Sequence, residues 1–526
     1  MNLRKLGARW GLVLLVWTLT ACSSGGSGTG GGSGEDVAGV EDGSGGAADV
    51  SAEDLPAGDT REETAAPDVE VPRLELPPEY TCGGPDALQA CEAVAAAPTD
   101  PASIAQWAGA NAVPLVCTDG LGEHWDFDIL ASEFAGMGAF FMGEVHGSNE
   151  IGLASADLFE ALVLGAGVRV AALEMGMDTT DAFNEYILSG DETVLDDGLY
   201  WDQYTDVMFR KTIPRRARKI YEETGVLVRV IGVDTPQRLA WVNERITELA
   251  EGLDAQARGL LLDVLPAPQE PPYGNWGMGL DTAYVNLSRN YHQHVVDHED
   301  VICAALDPET CEDLEFLAWA LYTGAVFNSS DFQMVMMGRG NPLDLMTWMG
   351  ERESLLDYNF RRALPDPSTK LYAHMGAAHA AKGGWNVAGL LNAEHAPVQG
   401  RVYSVTPAYG QGSEIFYGMS TQTVPPEPSA LANTLAQLPL ENYFVSTNHP
   451  GIDCDGNPFS DGVAERVGGA YGTAYDGFFW YRLLTPEQEG WGGWGKPAPG
   501  ADWRRDFIGD QVERMRFADR MMETLR

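Results

Sequence analysis

Basic residues are scarce in this 526-residue chain: 33 Lys and Arg stand against 77 Asp and Glu, for a formal net charge of −44. A surface this negative repels phosphate backbones and anionic headgroups, which excludes nucleic acid and acidic lipid surfaces as partners. No Cys-x-x-Cys pair occurs among the cysteines, which argues against a structural zinc site. His292, His294 and His298 lie close together but do not form the His-Glu-x-x-His pattern of zinc proteases. Asp453, Asp455, Asn457 and Asp461 resemble a calcium loop, yet Ala464 stands where the bidentate Glu would be, so an Asp/Asn/Gly turn is the reading.

What is present begins with a targeting segment. Arg4, Lys5 and Arg9 precede a short apolar stretch at residues 12–17, and Leu19-Thr20-Ala21-Cys22 closes it. Residues 1–21 read as a signal peptide, too short in its apolar run for a permanent membrane helix. The closing sequence resembles the bacterial lipobox, which implies lipidation at Cys22 and an envelope protein tethered to the membrane there, with outer-membrane sorting favoured by Ser23. Residues 22–80 are Gly/Ser-rich, then acidic, then Pro-rich, without apolar periodicity. Such a segment buries too little apolar surface to offset its ordering entropy and is expected to be a disordered tether.

The remaining residues, 81–526, suit one elaborated domain. Six cysteines in an exported domain suggest disulfides. Cys82–Cys91 and Cys303–Cys311 would close local loops, leaving Cys117–Cys454.

Apolar runs alternate with helical patterns, the signature of an α/β fold with a mostly parallel sheet flanked by helices. The first strand, residues 139–142, runs into Gly143, Glu144, His146, Gly147 and Glu150. A helix should follow with Leu153, Leu158, Phe159, Leu162 and Leu164 as its apolar stripe. A second strand ends at Glu174, a third at Asp234, and a fourth leads into His374 and His379. The basic run around residues 210–219 reads as the solvated face of a helix. Residues 238–348 read as a helical insertion, broken by a loop carrying Tyr273, Trp276 and Met278; a further helix spans 344–364. In a parallel sheet the strand C-termini share one rim, where ligands bind. Carboxylates and imidazoles gathered there can ligate metals or transfer protons.

These pieces in this order resemble the superfamily that joins erythromycin esterases to ChaN-like haem-binding lipoproteins and Tiki-type proteases. The motifs are Gly-Glu-x-His-Gly-x-x-Glu from Gly143, Ala-Leu-Glu ending at Glu174, Tyr-Ile-Leu-Ser-Gly from Tyr186, and Gly-Val-Asp ending at Asp234. They continue with Arg-Glu-x-x-x-x-x-Asn from Arg352 to Asn359 and Gly-Ala-Ala-His-Ala from Gly376. The resemblance implies a cleft lined by Glu144, His146, Glu174, Arg352 and His379. By that likeness His146 is the base oriented or assisted by Glu144, Arg352 steadies an oxyanion, and His379 protonates a leaving alkoxide or holds the substrate carbonyl. Glu150, Asp234, His374 and Asn359 are expected to contact substrate. A divalent metal, if used, would be held by Glu144, His146, Glu174 and His379.

Two features separate this chain from the esterases. One residue, Val145, lies between Glu144 and His146, as in the ChaN-like branch, where the esterases have two. Gly376 stands in place of the first histidine of the esterase pair. The expectation is a hydrolase of an ester, lactone or related bond acting on a small molecule; the alternative is a lipoprotein binding haem or an iron complex.

Overall fold

A computed structural model describes residues between Ala108 and Pro486, with gaps of which the longest are 199–206, 270–278, 427–431, 437–441 and 447–473. The signal peptide, Cys22, the tether, Cys82–Cys91, the Cys117–Cys454 pairing, the aspartates around Asp455 and the aromatic loop at 273–278 lie outside the described residues. The remaining expected disulfide, Cys303–Cys311, is formed, with its Cα atoms 5.3 Å apart.

The strands are β1 Val113–Pro114, β2 Val116–Asp119, β3 Gly122–Trp125, β4 Ala139–Glu144, β5 Val170–Gly176, β6 Arg229–Asp234, β7 Leu371–Gly376, β8 Val402–Tyr409, β9 Glu414–Tyr417, β10 Ser420–Thr423, β11 Asn442–Ser446 and β12 Gly477–Tyr481. Eight form one sheet in the order β1-β11-β12-β8-β4-β7-β5-β6. From β12 to β6 every pairing is parallel, and β11 and β1 complete one edge antiparallel. This is the α/β architecture expected from the alternation of apolar runs and helices.

Both faces of the central strands are covered, which is why β4 reads as an apolar run up to Gly143 and β7 is apolar but for His374. Phe140 and Met142 pack on one face with Leu158, Phe159, Tyr372 and Tyr403. Ala139 and Phe141 point to the other, against Leu356, Phe360 and Met375. The helix Asn149–Ala161 covers the first face, and the helix Pro342–Ala363 covers the second. Leu158, Phe159 and Leu162 are buried as expected, but Leu164 is 54% exposed. Residues Leu162–Ala166 form a π turn, whose wider winding rotates position 164 away from the α-helical stripe.

The insertion is helical as expected, with helices at Leu239–Ala250, Ala255–Leu262, Thr282–Asp297 and Pro308–Phe327 around their own apolar core, followed by the short helix Ser330–Met336. Local sequence sets their starts: Asp307 accepts hydrogen bonds from the Glu309 and Thr310 amides while Pro308 opens the helix. The basic run lies on the helix Val207–Thr224, where Arg215 pairs with Glu192 and Arg216 with Asp157 and Glu160. His294 turns a ring nitrogen to the Leu260 carbonyl, 2.9 Å away, and ties its helix to Ala255–Leu262, while His298 bonds the His294 carbonyl at 2.9 Å and closes the end of its own helix.

Candidate active site

Glu144 and Asp234 end β4 and β6, Glu174 lies two residues before the end of β5, and the three converge at one rim of the parallel sheet. Between β4 and β5 runs β7, whose last residue, Gly376, lies opposite Glu144 in register. Close packing at the rim requires the glycine at 143: a Cβ there would come within 2.9 Å of the Val405 carbonyl oxygen and 3.1 Å of Ala377 Cα.

Two linked clusters occupy the rim. In the first, Glu144 Oε1 lies 2.6 Å from His146 Nδ1 and Oε2 accepts from His374 Nε2. Glu144 is buried, whereas the His146 side chain is 42% exposed at the mouth. Burial opposes the carboxylate, but the imidazoles of His374 and His146 outweigh it and hold the group at about 2. It remains ionised and orients His146 with Nδ1–H donating to Oε1.

In the second cluster Arg352 is the centre. Its Nε donates to Asp234 Oδ1 at 2.8 Å, its Nη2 to Glu174 Oε1 at 2.6 Å and also to Asp234 Oδ2. Its guanidinium lies 5.6 Å from the centre of the Phe327 ring. Despite burial, Asp234 and Glu174 raise its pKa well above the usual value, and His379 with Arg352 holds Glu174 well below. The oxyanion role expected of Arg352 does not fit this geometry, because its fork is committed to carboxylates; it builds the site by neutralising two acidic strand ends.

His379 Nδ1 contacts Glu353 Oε1, and Glu353 Oε2 accepts from the Val387 amide at 2.8 Å. His379 Nε2 lies 3.0 Å from Arg352 Nη1 and 3.3 Å from Glu174 Oε1. The first contact is a hydrogen bond only for the neutral ring, the second only for the imidazolium. Burial and Arg352 disfavour the charged ring, but Glu174 and Glu353 prevail and push its pKa up to about 9.

The expected residues thus fall into distinct places. Glu144, His146, Glu174, Asp234, Arg352 and His379 come together. Asn359 instead donates to the Val233 carbonyl at 2.8 Å, tying its helix to β6. His374 is fully buried and meets Glu144 from beneath, so it is no substrate contact. Glu150 lies half-buried in the first helix turn, with Tyr481 within its electrostatic reach. Glu353, Ser155 and Tyr372 were not expected. Glu353 stood in the Arg-Glu motif without a role, and nothing in the sequence distinguished Ser155 or Tyr372.

One gap is shaped for a small ligand. Ligand atoms of Glu144, His146 and Glu174 all lie within 4.8 Å of one another, a separation that a water can bridge with ordinary hydrogen bonds. The same mixed nitrogen and oxygen set fits a divalent ion, with three ligands in place of the expected four, since the His379 nitrogens face Glu353, Arg352 and Glu174. Gly376 keeps the gap open: a Cβ there would stand 3.3 Å from Glu174 Oε2 and 3.4 Å from His146 Nε2. Gly376→Ala is therefore expected to cut turnover roughly tenfold to a hundredfold through misplacement of His146, with the melting temperature little changed. Parallel kinetics and melting curves check this.

Glu144 and His379 contribute to stability over different pH ranges. Glu144 is lowered from 4.5 to about 2, so its contribution is complete above pH 4.5 and disappears as pH falls through 2. His379 is raised from 6.5 to about 9, so its contribution is complete below pH 6.5 and disappears as pH rises through 9. The summed contribution of these two groups should be flat between pH 4.5 and 6.5 and fall on both sides, by on the order of 3 kcal/mol for each group, on top of the loss as pH rises through about 6 from Asp178, whose carboxyl burial pushes up from 3.8. Urea unfolding at pH 3, 5.5 and 10 measures it.

Comparisons with known proteins agree with this architecture. No protein-family model and no curated protein sequence matches the chain. Among solved structures, a Bacillus cereus protein is similar at 15% identity and TM-score 0.54, covering 74% of this chain and 99% of its own. A succinoglycan biosynthesis protein follows at 15% identity and TM-score 0.53, covering 73% and 97%. A mutant of the erythromycin esterase EreC in its open conformation is 14% identical, with TM-score 0.51 over 69% of this chain and 95% of that one. The haem-binding ChaN of Campylobacter jejuni overlaps only at TM-score 0.26. The chain has the fold of the erythromycin esterases.

Proposed function

We propose that the protein is a lipid-anchored hydrolase of the cell envelope that cleaves an ester, lactone or related bond in a small molecule. The observation that carries this reading is the pairing of a carboxylate-oriented, solvent-facing imidazole with a second histidine held protonated in the same rim.

With Nδ1–H bound to Glu144, His146 presents Nε2 as a base to a water in the gap toward Glu174. The water gives its proton to Nε2 as its oxygen attacks the substrate carbonyl. Collapse of the tetrahedral intermediate expels an alkoxide, and the His379 imidazolium is the proton source for it. A divalent metal bound by Glu144, His146 and Glu174 would add Lewis-acid polarisation of the carbonyl.

The pH dependence of kcat/KM tests this assignment. Activity should fall on an alkaline limb near pH 9 as His379 loses its proton, and Glu353→Gln should move that limb to lower pH. An alkaline limb unmoved by Glu353→Gln contradicts the acid role of His379.

Haem binding is the second reading, supported by the same exposed His146 with its Nδ1 anchored by a carboxylate, as axial ligands often are. A haemin titration separates the two: a Soret shift lost in His146→Ala, with no ester turnover in the wild type, would establish the binder.

A further inference from the structure

Behind the exposed dyad, a row of hydrogen bonds runs down into the core. Glu144 Oε2 meets His374 Nε2; His374 Nδ1 lies 2.5 Å from Ser155 Oγ; Ser155 Oγ lies 2.5 Å from Tyr372 Oη. Ser155, Tyr372 and His374 are fully buried. Strand parity places them together: positions 372 and 374 project from β7 to the same face, onto the helix Asn149–Ala161 that carries Ser155.

Proton counting gives the row a direction. The Glu144 carboxylate only accepts, so His374 must carry its proton on Nε2. Nδ1 of the neutral ring is then an acceptor and takes the Ser155 hydroxyl proton, and Ser155 Oγ accepts from Tyr372 Oη. Each proton goes to one of the short contacts. The reverse order needs a buried imidazolium and sends the Tyr372 proton to the Ser155 carbonyl at 3.4 Å. The forward order leaves every polar atom in the row satisfied without a further buried charge.

We propose that Tyr372, Ser155 and His374 form a one-directional relay that sets the tautomer of His374, and through Glu144 that of His146, making all three positioning residues for the base. This rests on the hydrolase reading only for its kinetic consequence. Glu144 anchored from beneath on Oε2 leaves Oε1 turned to His146 Nδ1, so the His146 proton sits on Nδ1 and Nε2 faces the gap. Holding the base in the wrong tautomer is costly even when its position is kept.

The test uses the full chain with nitrogen-labelled histidine at pH 7, where long-range proton–nitrogen NMR correlations report the tautomer of each ring. The expected wild-type result is His374 protonated on Nε2 with a hydrogen-bonded Nδ1, and His146 protonated on Nδ1. In Ser155→Ala the His374 Nδ1 signal should shift to that of an unbonded nitrogen, and in His374→Leu the Nδ1–H preference of His146 should be lost. His374→Gln, which keeps a donor toward Glu144, should restore it. His374 protonated on Nδ1 in the wild type, or a His146 tautomer unchanged in a folded His374→Leu variant, overturns the relay. If ester turnover is measurable, Ser155→Ala should lower kcat about tenfold at unchanged KM, with His374→Gln above His374→Leu. Absence of turnover with the expected tautomers would fail the hydrolase reading and leave the relay standing.

Discussion

His146→Ala is expected to lower kcat/KM for a cleaved ester by roughly 100-fold to 10,000-fold, the range that a positioned general base contributes. The loss should appear mainly in kcat, because the imidazole acts on the water in the transition state. Stability should hardly move. The side chain is 42% exposed, and substitutions at such positions usually stay within about 0.5 kcal/mol. Glu144→Gln should give a loss of the same kind, since an amide can present its NH2 to His146 Nδ1 and reverse the tautomer. Steady-state kinetics with melting curves on the same preparations check both. A kcat loss accompanied by a large fall in melting temperature would mean that His146 supports the fold instead.

Arg352→Ala is expected to have the largest effect on stability. The guanidinium is the cation shared by Glu174 and Asp234, two partly buried carboxylates on neighbouring strands. Its removal leaves Asp234 without a cation and Glu174 with His379 alone, and breaking a buried pair in this way costs about 3–5 kcal/mol. The melting temperature should fall by roughly 5–10 °C. Arg352→Lys should rescue little, because an ammonium cannot reproduce the fork that reaches Asp234 through Nε and Nη2 and Glu174 through Nη2. Melting temperatures of the two variants decide this. A lysine variant as stable as the wild type would show that charge alone suffices there.

The rim of the sheet was legible because it depends on local sequence. An apolar run that stops at a carboxylate announces where a buried strand meets solvent, and parallel topology brings such ends together. Glu144, Glu174 and Asp234 could be read in this way. The partners of those groups could not. His374 sits one alternation inside the end of β7, so it faces the covering helix and not the cleft, which depends on tertiary packing. Ser155 looks like any polar residue on an amphipathic helix until β7 is placed beneath it. Arg352 was recognised, but its role changed, because a motif names a side chain without saying where its donors point. Leu164 failed for a backbone reason: a π turn is invisible to a period of 3.6 residues. Of the histidines of the insertion, grouped like a metal site, His294 and His298 bond backbone carbonyls and His292 stacks on Tyr322.

The central claim is that the Glu144–His146 dyad activates water for bond cleavage. Hydrolysis of a panel of carboxylic esters and lactones by the wild-type protein, Glu144→Ala and His146→Ala tests it most directly. The account predicts turnover of at least one member by the wild type and its loss in both variants, with each still folded. Turnover that persists in either variant, or is absent across the panel while haemin binds through His146, would contradict it.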